Sequence, residues 1–179
     1  MKHAGRPITT ALALLALAAA LAGPMAARAD DYGDVNQLMR SGKLPEALAL
    51  ADRYIAAKPK DPQMRFLKGV VLTEAGRKDE AIATYAQLIE DYPELPEPYN
   101  NIAVLYASQN QFDKARAALE SAVRANPGYA TAHENLGDVY ARLAAQSFAK
   151  AQQLDANNLA VRSKLAAVRQ LSAPAPAQR

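Results

Sequence analysis

Pro59, Pro93 and Pro127 stand 34 residues apart, and the residues between them recur in phase. Counting back from each proline, Ala47, Ala81 and Ala115 share one position, and Gly42, Gly76 and Asn110 share another five residues earlier. Leu38, Leu72 and Tyr106 align four residues before that. A period of this length means one supersecondary unit repeated, and such units bury their apolar faces only by stacking on each other. Glycine or asparagine in mid-unit suits a tight turn that needs a left-handed backbone, and proline ends a unit because it cannot continue a helix. Each unit therefore reads as two helices, A and B. In the second, helix A is PQMRFLKGVVLTEA, with Phe66 or Leu67, Val70 and Leu72 among its apolar positions; helix B is DEAIATYAQLIEDY, with Ala81, Tyr85, Leu88 and Ile89 on one face. Asp79 and Asp113 are expected as N-caps of their B helices. Alanine- and leucine-rich composition, 6% aromatic residues and no tryptophan agree with all-helical packing of small side chains.

Period and composition together resemble the tetratricopeptide repeat family. The third unit matches through Tyr99, Ile102, Ala103, Tyr106, Ala115, Leu119, Ala122 and Pro127, and the second through Gly69, Leu72, Ala81, Tyr85 and Pro93. The second unit departs at Arg65, Lys68 and Leu88; the first is degenerate, with Val35, Ala51 and Tyr54 where the family has a small, a large apolar and a small residue. The resemblance implies an all-α, right-handed α-solenoid over residues 31–156, with units of about 28–61, 62–95 and 96–129 and a shortened fourth of 130–156. It says little about function, since the family serves very many partners.

The fourth unit begins in phase with His133, Leu136, Gly137 and Tyr140, but Phe148 and Ala151 arrive five residues early. The inter-helix turn is what is missing. Either a tight turn survives between Arg142 and Ala145, or helices A and B fuse into one helix from about Ala130 to Asp155. Alanine, leucine and arginine offer no turn chemistry, so fusion is favoured. Its apolar line would be Leu136, Tyr140, Leu143, Ser147 or Phe148, Ala151 and Leu154. Leu159, Val161, Leu165, Val168 and Leu171 follow at helical spacing, behind Asn157-Asn158, which can turn and cap. Residues 157–171 are expected to fold back as a capping helix; the other reading is that residues 140–171 pair with a second copy or a dedicated partner.

Residues 1–29 have the three parts of a secretory signal peptide: Lys2 and Arg6, an apolar stretch from Thr10 to Leu21, and Ala27-Arg28-Ala29 as cleavage site. The apolar run is short for a membrane anchor. With no cysteine, the chain has neither a disulfide framework nor a residue to carry a lipid. Lys2, Arg6 and Arg28 are three of the 21 basic residues, and the segment holds none of the 18 acidic ones, so the remainder is balanced at 18 against 18. The inference from a basic chain to nucleic acid therefore fails. The leader points to export, to the periplasm of a diderm bacterium or beyond it. Residues 172–179, rich in alanine and proline, are expected to be disordered or extended.

No catalytic constellation is evident. His133 is the only histidine after the leader and reads as structural; no metal site, phosphate loop or cofactor is indicated, and an enzyme is not expected. The family resemblance instead implies a concave groove lined by the A helices. Here that means Tyr32, Asn36 and Met39; Gln63, Phe66, Val70 and Thr73; Glu97, Asn100, Val104 and Ser108; and Glu134 and Asp138. Amides would bond an extended peptide backbone, and Phe66, Val70 and Val104 would take apolar side chains; equally, Asn100, Asn101 and Asn135 would brace helix A. Asn36 fits the carboxylate clamp of some family members, but Tyr32, Leu67 and Glu97 do not, and Glu134 with Asp138 favours a basic or neutral ligand. The expected function is a periplasmic scaffold or adaptor for a protein or extended peptide of the cell envelope. The alternatives are a homodimer formed through the fused helix and an accessory that presents a catalytic partner.

Overall fold

The computed structural model describes residues 31–171; the expected leader at 1–29 and tail at 172–179 lie outside the described residues. The chain folds as α1 (Asp31–Arg40), α2 (Leu44–Ala57), α3 (Pro62–Glu74), α4 (Lys78–Asp91), α5 (Pro96–Ser108), α6 (Phe112–Ala125), α7 (Ala130–Leu154) and α8 (Leu159–Leu171). Each helix packs on the next, and A helices also meet across units, α1 with α3 and α5 with α7. This is the all-α solenoid expected from the repeat.

The turns repeat because their backbone chemistry repeats. Gly42, Gly76 and Asn110 have φ of 70°, 71° and 58°. The amide after each reaches back to the carbonyl of Leu38, Leu72 or Tyr106 at 2.9 Å, satisfying a helix-end acceptor that would otherwise be orphaned. At the other end of each unit, Lys58, Tyr92 and Asn126 leave the helical region, with φ of −136°, −138° and −142°. The following proline disfavours the helical region for them, so the B helices stop there.

The capping expectation needs correction. α4 begins at Lys78 and α6 at Phe112, so Asp79 and Asp113 sit inside the first turn, and the N-caps are Arg77 and Gln111, whose side chains do not bond the helix-end amides. The turn's backbone bonds already fix the entry to helix B, and the two carboxylates act on the helix dipole instead. Asp61 is a true cap: its Oδ1 accepts the Met64 amide at 3.0 Å.

Ala47, Ala81 and Ala115 are fully buried, as their shared position implies. The units are joined by a second periodic set, which the 34-residue landmarks do not include. Met64, Pro98 and Ala132 share one position, and Val71, Leu105 and Val139 another; all six are buried. They carry each A helix into the cluster of the unit before it, as Met64 and Val71 do with Val35, Ala47 and Ala51. The departures Arg65 and Lys68 are accommodated as ion pairs, with Asp91 and with Asp52.

The fourth unit is one helix of 25 residues, about 37 Å long. Its first half packs on α5 and α6 and its second half on α8. α8 is capped by Asn158, whose Oδ1 accepts the Val161 amide at 3.1 Å, and it buries Leu165. Of the expected apolar line on α7, Leu136 and Leu143 pack against the α5–α6 cluster, but its fully buried members are Ala132 and Val139, and Tyr140 is 48% and Leu154 77% exposed. Leu159 and Leu171 of α8 are exposed too. Without a helix B of its own, the fourth unit packs its first half on α5 and α6 and leaves the cover of its second half to α8.

Candidate functional site

The face where the A helices adjoin carries two openings. The first, about 300 Å³, lies at the N-terminal ends of α3 and α5 between Pro62, Gln63, Phe66, Leu95, Glu97 and Pro98. Its walls are rigid for local reasons: Pro62 opens α3, Pro96 and Pro98 lie in the first turn of α5, and the Phe66 ring rests 5.6 Å from that of buried Tyr85. The second opening lies between α5 and α7, about 190 Å³ around Ala103, Val104, Asn135 and Asp138. It continues past Ala107 to a recess of about 250 Å³ at Asn110, Phe112 and Arg142. Val104, 48% exposed, stands at the second opening.

The groove residues expected from the repeat divide into those that present themselves and those that brace. Phe66 lines the first opening, Val104 and Asp138 the second, and Glu134 is exposed on α7. Met39 and Val70 are half-buried and Gln63 exposed. Asn100 does not present its amide to the face. It is 5% exposed, and its Oδ1 accepts from Asn135 Nδ2 at 2.8 Å, tying α5 to α7. Asn101 donates to the Tyr85 hydroxyl at 3.1 Å and so ties α5 to α4. Asn36 and Thr73 bond carbonyls of their own helices, Tyr32 and Gly69 respectively. Ser108 accepts from Lys78 Nζ at 3.0 Å.

Tyr32 belongs to a junction between the first two units. Its hydroxyl donates to Asp61 Oδ2 and lies 2.9 Å from the Tyr54 hydroxyl, which is itself 3.0 Å from the same carboxylate oxygen. Burial, then the bond to Asp61, pushes the Tyr32 hydroxyl well above the usual tyrosine range. Burial alone would raise Asp61; bonds from Tyr32, the Met64 amide and Tyr54 outweigh it and hold the carboxyl below its usual value.

The acidic side chains of the face have a different setting. Glu97, Glu134 and Asp138 take part in none of the ion pairs among the described residues, which join Arg65, Lys68, Arg77 and Arg116 to other carboxylates. Burial, with the Glu97 charge, pushes the Tyr129 hydroxyl up. His133 donates from Nε2 to the Pro127 carbonyl at 3.0 Å, a structural bond at the head of the same helix. Among the described residues no group of His, Cys, Asp and Glu is arranged to hold a metal, and no helix is long and apolar enough to cross a membrane. Leu95, Pro98 and Arg142 line the openings without having been expected; the signal for Leu95 and Pro98 was the proline-rich entry to α5.

Residues 32–96 match a family model described as tetratricopeptide repeat and residues 105–143 one described as TPR repeat, together more than half of the chain. The TPR repeat-containing thioredoxin TTL4 of Arabidopsis thaliana is 32% identical over 113 residues, which is 63% of this chain. That match covers 16% of the relative, so this chain spans about a sixth of its length. Among solved structures, the thermophilic TPR protein TTC0263 of Thermus thermophilus aligns with a TM-score of 0.57 at 24% identity, covering 79% of this chain and 80% of that one. The second TPR domain of human RPAP3, solved in complex with the HSP70 peptide SGPTIEEVD, aligns with a TM-score of 0.56 at 16% identity, covering 62% of this chain and 92% of that one. At these identities the two structures show the fold.

Proposed function

Because the chain belongs to the tetratricopeptide repeat family, we propose that it is a periplasmic scaffold holding a protein partner, or an extended segment of one, on its A-helix face. The observation that carries this reading is the pair of openings on one face, whose rims include Val104 and the carboxylates of Glu97 and Asp138, which join no ion pair among the described residues. Apolar walls with a few polar groups at the rim are the general form of a binding surface. The peptide complex of the human RPAP3 domain supports the use of this fold in that way. No residue is assigned to catalysis.

The test is a photo-reactive amino acid at Val104 in the full-length chain, irradiated in its own cells, with Ala117 on exposed helix B surface as control. Adducts are expected at Val104 and not at Ala117; adducts at Ala117 or on α8 alone would move binding off the A-helix face. Export rests on Lys2, Arg6, the apolar run and Ala27-Arg28-Ala29. Mass spectrometry of the cellular protein is expected to find an N-terminus at Asp30 in the envelope fraction.

Self-association through α7 and α8 is a second reading, favoured by Tyr140, Leu154, Leu159 and Leu171, which expose large apolar side chains on that hairpin. Sedimentation across a wide concentration range decides it, since a chain that stays monomeric throughout does not dimerise this way.

A further inference from the structure

We propose that the segment held on the A-helix face is basic and carries one large apolar residue, the apolar side chain seating in the opening at Phe66 and Leu95 while lysine or arginine beside it faces Glu97, Glu134 and Asp138. This rests on the preceding assignment of the A-helix face as the binding surface and specifies the chemistry of what it binds.

The opening at Pro62, Phe66, Leu95 and Pro98 has about 300 Å³, room for a large side chain. Its walls are almost wholly apolar, and its prolines and the Tyr85-backed Phe66 ring are already in place, so little ordering opposes occupation. From its rim at Glu97 the face runs toward α7, where Glu134 and Asp138 are exposed. No ion pair among the described residues joins these three carboxylates; Arg142 lines, together with Asp138, the recess beyond the second opening and leaves Glu97 and Glu134 as the charges nearer the first. The charge after the leader is balanced, so the negative field here is local to the face. A cation in the bound segment gains attraction along this path, and an acidic segment meets repulsion. The apolar opening alone would accept any extended chain with a leucine or phenylalanine; the carboxylates select among them.

Selection of phage-displayed random peptides on the immobilised full-length chain tests this with no partner identified in advance. The expected result is enrichment of sequences pairing lysine or arginine with leucine, isoleucine, phenylalanine or methionine. Their affinity should fall several-fold from low to physiological salt, since exposed charges are screened over about 8 Å there. Charge reversal with E97K and D138K, at exposed positions without described ion pairs, should weaken the selected peptides ~10-fold or more while helical content stays unchanged. Enrichment of acidic or uncharged peptides that still cross-link at Val104 would overturn the charge preference and leave the face as a binding surface. Enrichment of nothing, or of peptides that cross-link elsewhere, would overturn both.

Discussion

The Tyr85 ring lies where a side chain at Gly69 would have to go: a Cβ built on Gly69 would fall 2.4 Å from Tyr85 Cε1. Helix A and helix B of the second unit thus approach as closely as glycine permits. Gly137 stands at the same position of the fourth unit and has nothing within 4 Å of its own Cβ site, because no helix B returns to cover it. The same substitution should therefore act with opposite sign at the two sites. Gly69→Ala is expected to destabilise the fold by about 1–3 kcal/mol through overpacking. Gly137→Ala is expected to stabilise it by about 1 kcal/mol through helix propensity. Urea unfolding midpoints of the two variants check both; a stabilised Gly69→Ala would mean that the helices of the second unit are not in contact there.

Asn135 supplies the hydrogen bond that satisfies Asn100 beneath the surface. Removing it with Asn135→Ala leaves a buried carbonyl oxygen without its partner, and the expected loss is roughly 1–3 kcal/mol. In Asn100→Ala with Asn135→Ala the second change should cost far less than it does alone. A double-mutant cycle in chemical denaturation measures that coupling.

What was legible in the sequence was what depends on one residue and its immediate neighbours. Gly42, Gly76 and Asn110 were readable as turns because a positive φ is a property of the local backbone. The fused α7 was readable from the lack of such residues between Arg142 and Ala145. What required a neighbour was not readable. Asn100 looks like a groove amide until Asn135 arrives from the next unit, and Val139 is buried only because α5 and α6 lie against it. Tyr140 was expected inside because the repeat places an inward residue there, but the helix it would meet does not exist in this unit. Asp79 and Asp113 looked like caps because they precede apolar runs, whereas backbone bonds to Leu72 and Tyr106 already set the start of each helix.

The junction of Tyr32, Tyr54 and Asp61 makes stability depend on pH at both ends of the range. The folded pKa of Asp61 lies below its unfolded value, so its contribution is fully present above about pH 5 and is lost as the pH falls through about 4 and below. Tyr32 is shifted upward, so above about pH 10 the unfolded chain gives up a proton that the folded chain keeps, and stability falls. Wild type should exceed Asp61→Asn in thermal midpoint by a constant margin near neutrality, and the margin should shrink in acid. Tyr32→Phe should flatten the alkaline limb. A wild-type to Asp61→Asn margin that does not change with pH would show that the Asp61 charge plays no part in the junction.

The length of α7 can be measured directly, because the chain has no cysteine and two can be introduced without interference. Spin labels at Glu134→Cys and Lys150→Cys lie on one continuous helix. Sixteen residues of helix put their backbones about 24 Å apart. A turn surviving near Arg142 would instead fold the second half against the first and bring the labels to about 10 Å, the spacing of packed helices. Pulsed dipolar spectroscopy separates the two distances. Inserting Gly-Asn after Arg142 supplies the left-handed residues that the other three units use. If the missing turn is what fused the helices, the insertion should move the distance distribution from the long value toward the short one. It should also bring a side chain over the open surface at Gly137, so that Gly137→Ala no longer stabilises in that background. A long distance that persists after insertion would mean that packing on α8, and not loss of the turn, holds α7 straight.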